Sequence, residues 1–153
     1  MAERWPALVE RLGVCRRCHE ASALYPGARP LFARFTGERA DLLFVLEAPN
    51  YDDTFDPDKG YLTYDADTDP SGRFFRELYM TVLGEPIEQA VITNAVLCLP
   101  AGDSGRYPVT SKTIKNCSPN LRDQILSLDP LIVVTVGAKA LEQHLAQKKQ
   151  RNE

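Results

Sequence analysis

The sequence predicts an α/β fold, a three-layer α/β/α sandwich around a short parallel sheet, preceded by an N-terminal helix. Three apolar runs, at 42–46, 91–97 and 131–136, have the composition of strands. Helix-like segments alternate with these runs, and each connection is long enough for a right-handed parallel crossover. A run without polar alternation suits a strand whose two faces are both covered by helices.

The composition predicts one ordinary globular domain, 1–153, because 44% of the 153 residues are hydrophobic and 25% are charged. It excludes a disordered chain, a coiled coil and collagen. No apolar run approaches the roughly 20 residues that span a bilayer, so we expect a soluble, cytoplasmic monomer without a membrane partner, nucleoid-associated in a prokaryote. The net charge of −3 means that any contact with nucleic acid depends on local patches.

The N-terminal helix is predicted at 2–12, where Leu8 and Leu12 recur at helical spacing. An irregular connection rich in Gly, Pro and Arg follows at 20–40. The sheet is therefore expected to begin only after this connection.

The first strand, 42–46, stops abruptly at Glu47-Ala48-Pro49-Asn50. Pro49 lacks an N–H and has a fixed φ, so the strand ladder cannot continue through it. Glu47 therefore stands at the carboxyl end of the strand, where open α/β sheets bind their ligands. Its carboxylate is a candidate functional group, and a solvated loop glutamate is the alternative.

Residues 51–70 are predicted to form a functional loop, because they show no helical period and are too many for a simple connection. Their aspartates lack the full spacing of a calcium loop, so solvated acidic side chains are the preferred interpretation. A helix capped by Ser71 is expected to follow and to end near Leu83, before Gly84.

The second strand, 91–97, carries Asn94 near its carboxyl end, at the edge where Glu47 is expected. A polar loop is predicted next, at 99–116. It contains cations that we expect to contact phosphates, because it is the most cation-rich polar stretch beside the predicted crevice, although an ordinary solvated loop would carry as many: Arg106, Lys112 and Lys115.

The following helix is predicted to begin at Ser118-Pro119, with the proline in its first turn, and to end near Leu128. The third strand, 131–136, then reaches Gly137, which permits a tight turn. The last helix is expected at 138–146.

The four cysteines come from three separate regions of the chain: Cys15, Cys18, Cys98 and Cys117. In a reducing cytosol they are not expected to form structural disulfides. Four thiolates can bind one tetrahedral zinc ion or one iron–sulfur cube, and the spacing leaves both open. Four ordinary reduced cysteines are the remaining alternative.

With these motifs the sequence resembles the iron–sulfur uracil-DNA glycosylases, family 4 of the uracil-DNA glycosylase superfamily. Four features match in order along the chain: Cys15-x-x-Cys18, Glu47-Ala48-Pro49, Thr93 to Cys98 followed by Pro100, and Cys117-Ser118-Pro119-Asn120-Leu121. The resemblance extends from Leu12 to Leu145.

The resemblance implies that the four cysteines hold a structural 4Fe-4S cluster, with zinc as the alternative. It implies that Glu47 lies in the motif that positions or activates the hydrolytic water, and that Asn94 is the uracil-binding amide. Ala48, Pro49 and Asn50 would line the same base site.

The sequence departs from that family at several places. Leu46 and Asn50 replace two glycines, and the phenylalanine that stacks on uracil has no clear counterpart. The candidates for the stacking ring are Tyr61, Tyr64 and Phe74. The family's His-Pro motif follows a further strand, and this sequence ends before it, so a truncated chain, a natural short variant and an inactive relic are all expected alternatives.

The leading hypothesis is a DNA base-excision repair enzyme that hydrolyses the N-glycosidic bond of uracil in DNA and leaves an abasic site. The alternative is a catalytically weak or inactive module of the same fold that binds nucleic acid or a nucleobase. A metal-stabilised scaffold without a nucleic-acid role is the third hypothesis.

Overall fold

The computed structural model describes residues 4–18, 24, 26–33, 35, 37, 40–49, 70–85, 90–101 and 109–151, without the side chains of 70–72, 74–75 and 146–151. These residues form, in chain order, α1 (Trp5–Gly13), β1 (Leu42–Leu46), α2 (Pro70–Leu83), β2 (Val91–Asn94), α3 (Ser111–Leu128), β3 (Ile132–Thr135) and α4 (Ala138–Arg151). The three strands form one parallel sheet in the order β2-β1-β3. The predicted parallel α/β fold is confirmed.

The two faces of β1 face different helices, because side chains alternate along a strand. Leu43 and Val45 are fully buried in the main core, which contains residues of α1, α3 and α4. Phe44 points to the opposite side, where its ring meets Tyr79 of α2 edge to face, with centroids 5.8 Å apart. Helices therefore cover both faces of the sheet, which gives the three layers.

The N-terminal helix buries Trp5, Leu8 and Leu12 along one face. Pro6 is accommodated in its first turn, where the missing N–H would have no helical partner. Arg11 reaches Asp123 of α3 with an N–O distance of 2.9 Å, although both side chains are partly exposed and such pairs contribute little. The buried apolar stripe, rather than this ion pair, holds α1 against α3.

The largest difference from the sequence prediction concerns α3, which begins at Ser111 instead of Ser118. Thr110 caps the helix, since its hydroxyl accepts a hydrogen bond from the Thr113 N–H at 3.2 Å. Pro119 is consequently inside the helix, where it leaves the Lys115 carbonyl without its usual helical donor. The prediction of a polar loop through residue 116 was wrong for its last six residues.

Smaller differences concern element ends. The second helix includes Pro70, so Ser71 lies inside it and is not its cap. The second strand has four residues instead of seven, and α4 continues past residue 146. The turns at Gly84 and Gly137 have positive φ values of 69° and 93°, as glycine permits.

None of the described helices is long and apolar enough to cross a membrane.

Candidate active site and cysteine cluster

Asn94 is the last residue of β2 and is completely buried. Its backbone lies in register with Leu46, the last residue of β1. Neither its Nδ2 nor its Oδ1 has a hydrogen-bond partner among the described residues. A buried polar group left unpaired costs about 1–3 kcal/mol, so this amide has strong capacity to bind a polar ligand. It lies at the carboxyl edge of the sheet, as the sequence predicted.

Glu47 follows β1 at the same edge, and its side chain is exposed. Its carbonyl accepts a hydrogen bond from the Val96 N–H at 3.0 Å, and Ala95 donates to the Leu46 carbonyl at 2.7 Å. These bonds extend the contact between the two chain segments beyond the last regular pair, Leu46 and Asn94. The backbone that carries the carboxylate is therefore held beside the segment that carries the buried amide.

The other residues predicted to bind the base are described only in part. Ala48 is half-buried against the main core and Pro49 is buried. Phe74 lies on α2, but its side chain is outside the described part of the chain, as are the whole residues Asn50, Tyr61 and Tyr64.

Next to Asn94, a buried hydrogen-bonded pair of polar side chains connects β2 to α3. Thr93, next to Asn94, donates its hydroxyl hydrogen to Gln124 Oε1 at 2.9 Å, and both side chains are fully buried. Gln124 in turn donates from Nε2 to the carbonyl of Asn120 at 3.4 Å. These bonds fix β2 to α3. Gln124 was not predicted from the sequence as a buried residue. Its spacing of three and four residues from Leu121 and Leu128 on the helix nevertheless indicates a core position.

Three of the four cysteines, Cys18, Cys98 and Cys117, are buried, and Cys15 is half-buried; all four are free thiols. Burial raises the pKa of the Cys98 thiol, and the three other cysteines raise it further. Burial likewise raises the pKa of Cys117 to about 12, and Cys18 and Cys15 add to this increase. The four sulfurs therefore lie within electrostatic range of one another, although their residues come from three separate parts of the chain.

Two groups donate hydrogen bonds to sulfur at this site. The Leu97 N–H donates to Cys117 Sγ at 3.3 Å. The Asn120 amide nitrogen lies 3.4 Å from Cys15 Sγ and 3.9 Å from Cys117 Sγ. N–H donors of this kind stabilise anionic sulfur, and metal binding requires anionic sulfur. The donor set therefore fits metal-bound thiolates.

Within the described residues, no group of three or more His, Cys, Asp or Glu side chains is arranged to hold a single metal ion. A tetrahedral zinc site would bring all four sulfurs to about 2.3 Å from one ion. An iron–sulfur cube binds each cysteine through a different iron, so its ligands stand farther apart.

Two of the predicted DNA-binding cations are described. Lys112 and Lys115 are exposed, and they lie on α3 rather than in a loop. Their spacing of three residues places them on one side of the helix. Arg106 is outside the described residues.

A separate apolar cleft of about 300 Å³ lies on the α2 side of the sheet. Its lining is entirely apolar or aromatic: Leu42, Phe44, Leu78, Tyr79, Val82, Leu83, Ile132 and Val134. This cleft was not predicted from the sequence. The lining contains neither the carboxylate nor the amide described above, so the cleft is not the centre of their chemistry.

The parallel α/β fold agrees with the family found by comparison. The family model described as the uracil DNA glycosylase superfamily matches residues 34–152, and the chain belongs to this superfamily.

Its similarity is to type-4 members. The type-4 uracil-DNA glycosylase of Saccharolobus solfataricus is 30% identical over 99 residues, and that of Sulfurisphaera tokodaii is 34% identical over 101 residues. Each match covers 65% of this chain. The chain spans only 41% and 40% of the length of these two relatives. The family resemblance stated from the sequence motifs is confirmed.

Proposed function

We propose that this chain hydrolyses the N-glycosidic bond between uracil and deoxyribose in DNA and leaves an abasic site with an intact backbone. The observation that carries the proposal is the buried amide of Asn94 at the carboxyl edge of the sheet, which has no hydrogen-bond partner among the described residues. The family membership and the type-4 relatives support the same reaction class.

The amide of Asn94 offers a donor and an acceptor, which complement the O4 and N3–H edge of uracil. Cytosine presents the reversed pattern, with a donor at N4 and an acceptor at N3. A fixed amide therefore favours uracil, and because the site is buried the base must leave the helix stack to reach it. The ring that stacks on the extruded base is proposed to come from Tyr61, Tyr64 or Phe74, beside Ala48, Pro49 and Asn50.

Glu47 is the proposed catalytic carboxylate. Cleavage of an N-glycosidic bond develops positive charge on the sugar, and a nearby carboxylate stabilises that charge and orients the attacking water, as in glycoside hydrolysis. Both interactions strengthen as the bond breaks, so they lower the barrier more than they tighten substrate binding. Exposure of the Glu47 side chain is consistent with access to a DNA sugar.

We assign the four cysteines to a 4Fe-4S cluster, with zinc as the alternative. When bound, the cluster acts as a structural cross-link and takes no part in hydrolysis. Its ligands join the end of α1, the segment after β2 and α3, so it would hold the region that follows Asn94 in place. Phosphate contacts are proposed for Lys112, Lys115 and Arg106.

Uracil release from single- and double-stranded oligonucleotides tests this function, with binding measured in parallel by gel shift. Glu47→Ala should lower turnover while affinity for an uncleavable uracil analogue stays nearly unchanged. Asn94→Asp should disturb base choice, because a carboxylate oxygen would oppose the uracil O4.

Binding of uracil-containing DNA without release, in protein whose iron content is full, would contradict the enzyme proposal and support a binding module of the same fold. Equal losses of affinity and turnover in Glu47→Ala would make that residue a binding group. Absence of any oligonucleotide binding at low salt would favour the scaffold hypothesis, since phosphate contacts are strongest there.

A further inference from the structure

Asn120 occupies an unusual position for a buried amide. It is 4% exposed on α3, and its Nδ2 approaches two cysteine sulfurs, Cys15 at 3.4 Å and Cys117 at 3.9 Å. Cys117 is three residues earlier on the same side of the helix, whereas Cys15 is 105 residues away in sequence. One side chain therefore connects the N-terminal cysteine pair to the cysteine of α3.

The chemistry of these contacts favours charged sulfur. A neutral thiol is a weak acceptor, so a buried amide nitrogen directed at two thiols is poorly satisfied. A thiolate is a much better acceptor, because hydrogen bonds to ionised groups are roughly twice as strong. The arrangement around Asn120 is therefore suited to cysteines that have lost their protons to a metal centre.

The neighbouring residues hold this amide in place. Gln124 donates to the backbone carbonyl of Asn120, and the Thr93 hydroxyl fixes Gln124 from β2. Cys117 also accepts a hydrogen bond from the Leu97 N–H, so it has two donors among the described residues, whereas the amide of Asn120 is the donor to Cys15.

We propose that Asn120 is a positioning residue for the cluster ligands: it donates hydrogen bonds to the Cys15 and Cys117 thiolates, locks the N-terminal ligands to α3, and raises the reduction potential of the cluster. This inference rests on the cluster assignment made under the proposed function. Withdrawal of charge from sulfur by N–H donors favours the reduced, more negative cluster, which is why hydrogen bonding to sulfur tunes such potentials.

The test compares Asn120→Leu, which keeps the shape but removes the donor, with Asn120→Asp, which places a carboxylate against the thiolates. Asn116→Leu is the matched control, because the same change is made one helical turn earlier on α3 at a half-buried position. Each full-length protein is purified anaerobically. Iron content, midpoint potential by film electrochemistry, and the rate of iron release to a chelator are then measured, with circular dichroism as the check of folding.

We expect the midpoint potential to fall in the order wild type, Asn120→Leu, Asn120→Asp, with Asn116→Leu equal to wild type. Iron release should accelerate roughly tenfold or more in Asn120→Leu, because the variant loses the hydrogen bonds of the amide to two charged sulfurs. A folded Asn120→Asp protein that retains no iron, beside an iron-replete control, would support the same inference.

Unchanged potentials in both Asn120 variants would overturn the inference, even if their melting temperatures fell, because a merely structural amide would affect stability alone. Iron-free wild-type protein would overturn it as well. Uracil release, assayed separately, reports on the proposed function: its absence alongside the expected order of potentials would reject the enzyme and leave the role of Asn120 intact.

Discussion

Two adjacent buried residues of β2, Thr93 and Asn94, show how differently the two sides of the sheet are built. Thr93 faces α3 and has its hydroxyl bonded to Gln124, whereas alternation along the strand turns Asn94 toward the α2 side, where neither amide atom has a partner among the described residues. Both side chains are fully buried. The comparison separates a polar group that supports the fold from one whose hydrogen-bonding capacity the described residues leave unused.

The apolar packing also differs between the α3 side and the α2 side of the sheet. On the α3 side, α1, α3 and α4 contribute to one large core that includes Leu43 and Val45. On the α2 side, the buried cluster formed by the described residues is small, and several apolar side chains of α2 are exposed, among them Val82 at 67%. Among the described residues, the α3 side therefore has the larger buried core, and it also contains the cysteines.

The largest expected effect is on the α3 side, at the cysteines. Cys117→Ala should abolish iron binding and lower the melting temperature more than any single apolar substitution, because the free energy of binding a structural metal centre is also free energy of folding. Iron analysis and thermal melting check this, with Asn116→Ala as the control on the same helix. A Cys117→Ala protein with full iron content would show that this cysteine is not a ligand.

The next effect compares the two faces of β1 directly. Leu43→Ala should lower the free energy of unfolding by about 2–5 kcal/mol, as expected for a leucine fully buried in a well-packed core. Leu42→Ala, the same change one residue earlier, should cost about half as much or less, because Leu42 is half-buried and lines the apolar cleft. Urea unfolding measures both variants. Equal losses would mean that the two faces are packed equally well.

A smaller pair of effects tests the contrast within β2. Thr93→Val should lower the free energy of unfolding by about 1–3 kcal/mol, because it leaves the buried Gln124 oxygen without its donor. Asn94→Leu should leave stability unchanged or raise it, since it removes an unpaired buried amide, and yet it should eliminate uracil release. Urea unfolding measures the stability of both variants, and the release assay measures the activity of Asn94→Leu. A marked loss of stability in Asn94→Leu would reveal that this amide supports the fold.

The smallest expected effect is at the surface. Lys112→Ala and Lys115→Ala should each flatten the salt dependence of DNA binding by about one unit of slope, because one phosphate contact is lost in each case. Binding measured across a range of salt concentrations checks this, with Lys139→Ala on α4 as a control of the same charge change. Slopes identical to wild type would exclude a phosphate contact.

The sequence sufficed for most of the fold because strand signals in a buried parallel sheet are strong and local. The run at 42–46 has no polar interruption and is stopped by Pro49, and β1 occupies that range. The start of α3 was misplaced for an equally local reason. Ser118-Pro119 has the form of a helix start, but Ile114, Cys117 and Leu121 already lie on one buried stripe, and packing along that stripe carries the helix through the proline.

The position of Glu47 and Asn94 at the carboxyl ends of neighbouring strands was predictable from the sequence, because the apolar runs that precede them mark those strands. Their hydrogen-bonding partners were not predictable. That Asn94 has no partner among the described residues while Thr93 has one depends on which helix faces each side chain, and that is a property of the tertiary structure. The hydrogen bonds of Asn120 to sulfur depend in the same way on the docking of α1 against α3.

The bond between Asn120 and Cys15 also has a consequence for the order of events during biosynthesis. The two residues are separated by 105 positions, so at ribosomal rates of 5–20 residues per second the first helix emerges on the order of ten seconds before its partner on α3. During that interval the Cys15 and Cys18 thiols have neither Cys117 nor the donating amide beside them. Completion of the cysteine site must therefore follow synthesis of α3, although Cys15 and Cys18 are made long before it.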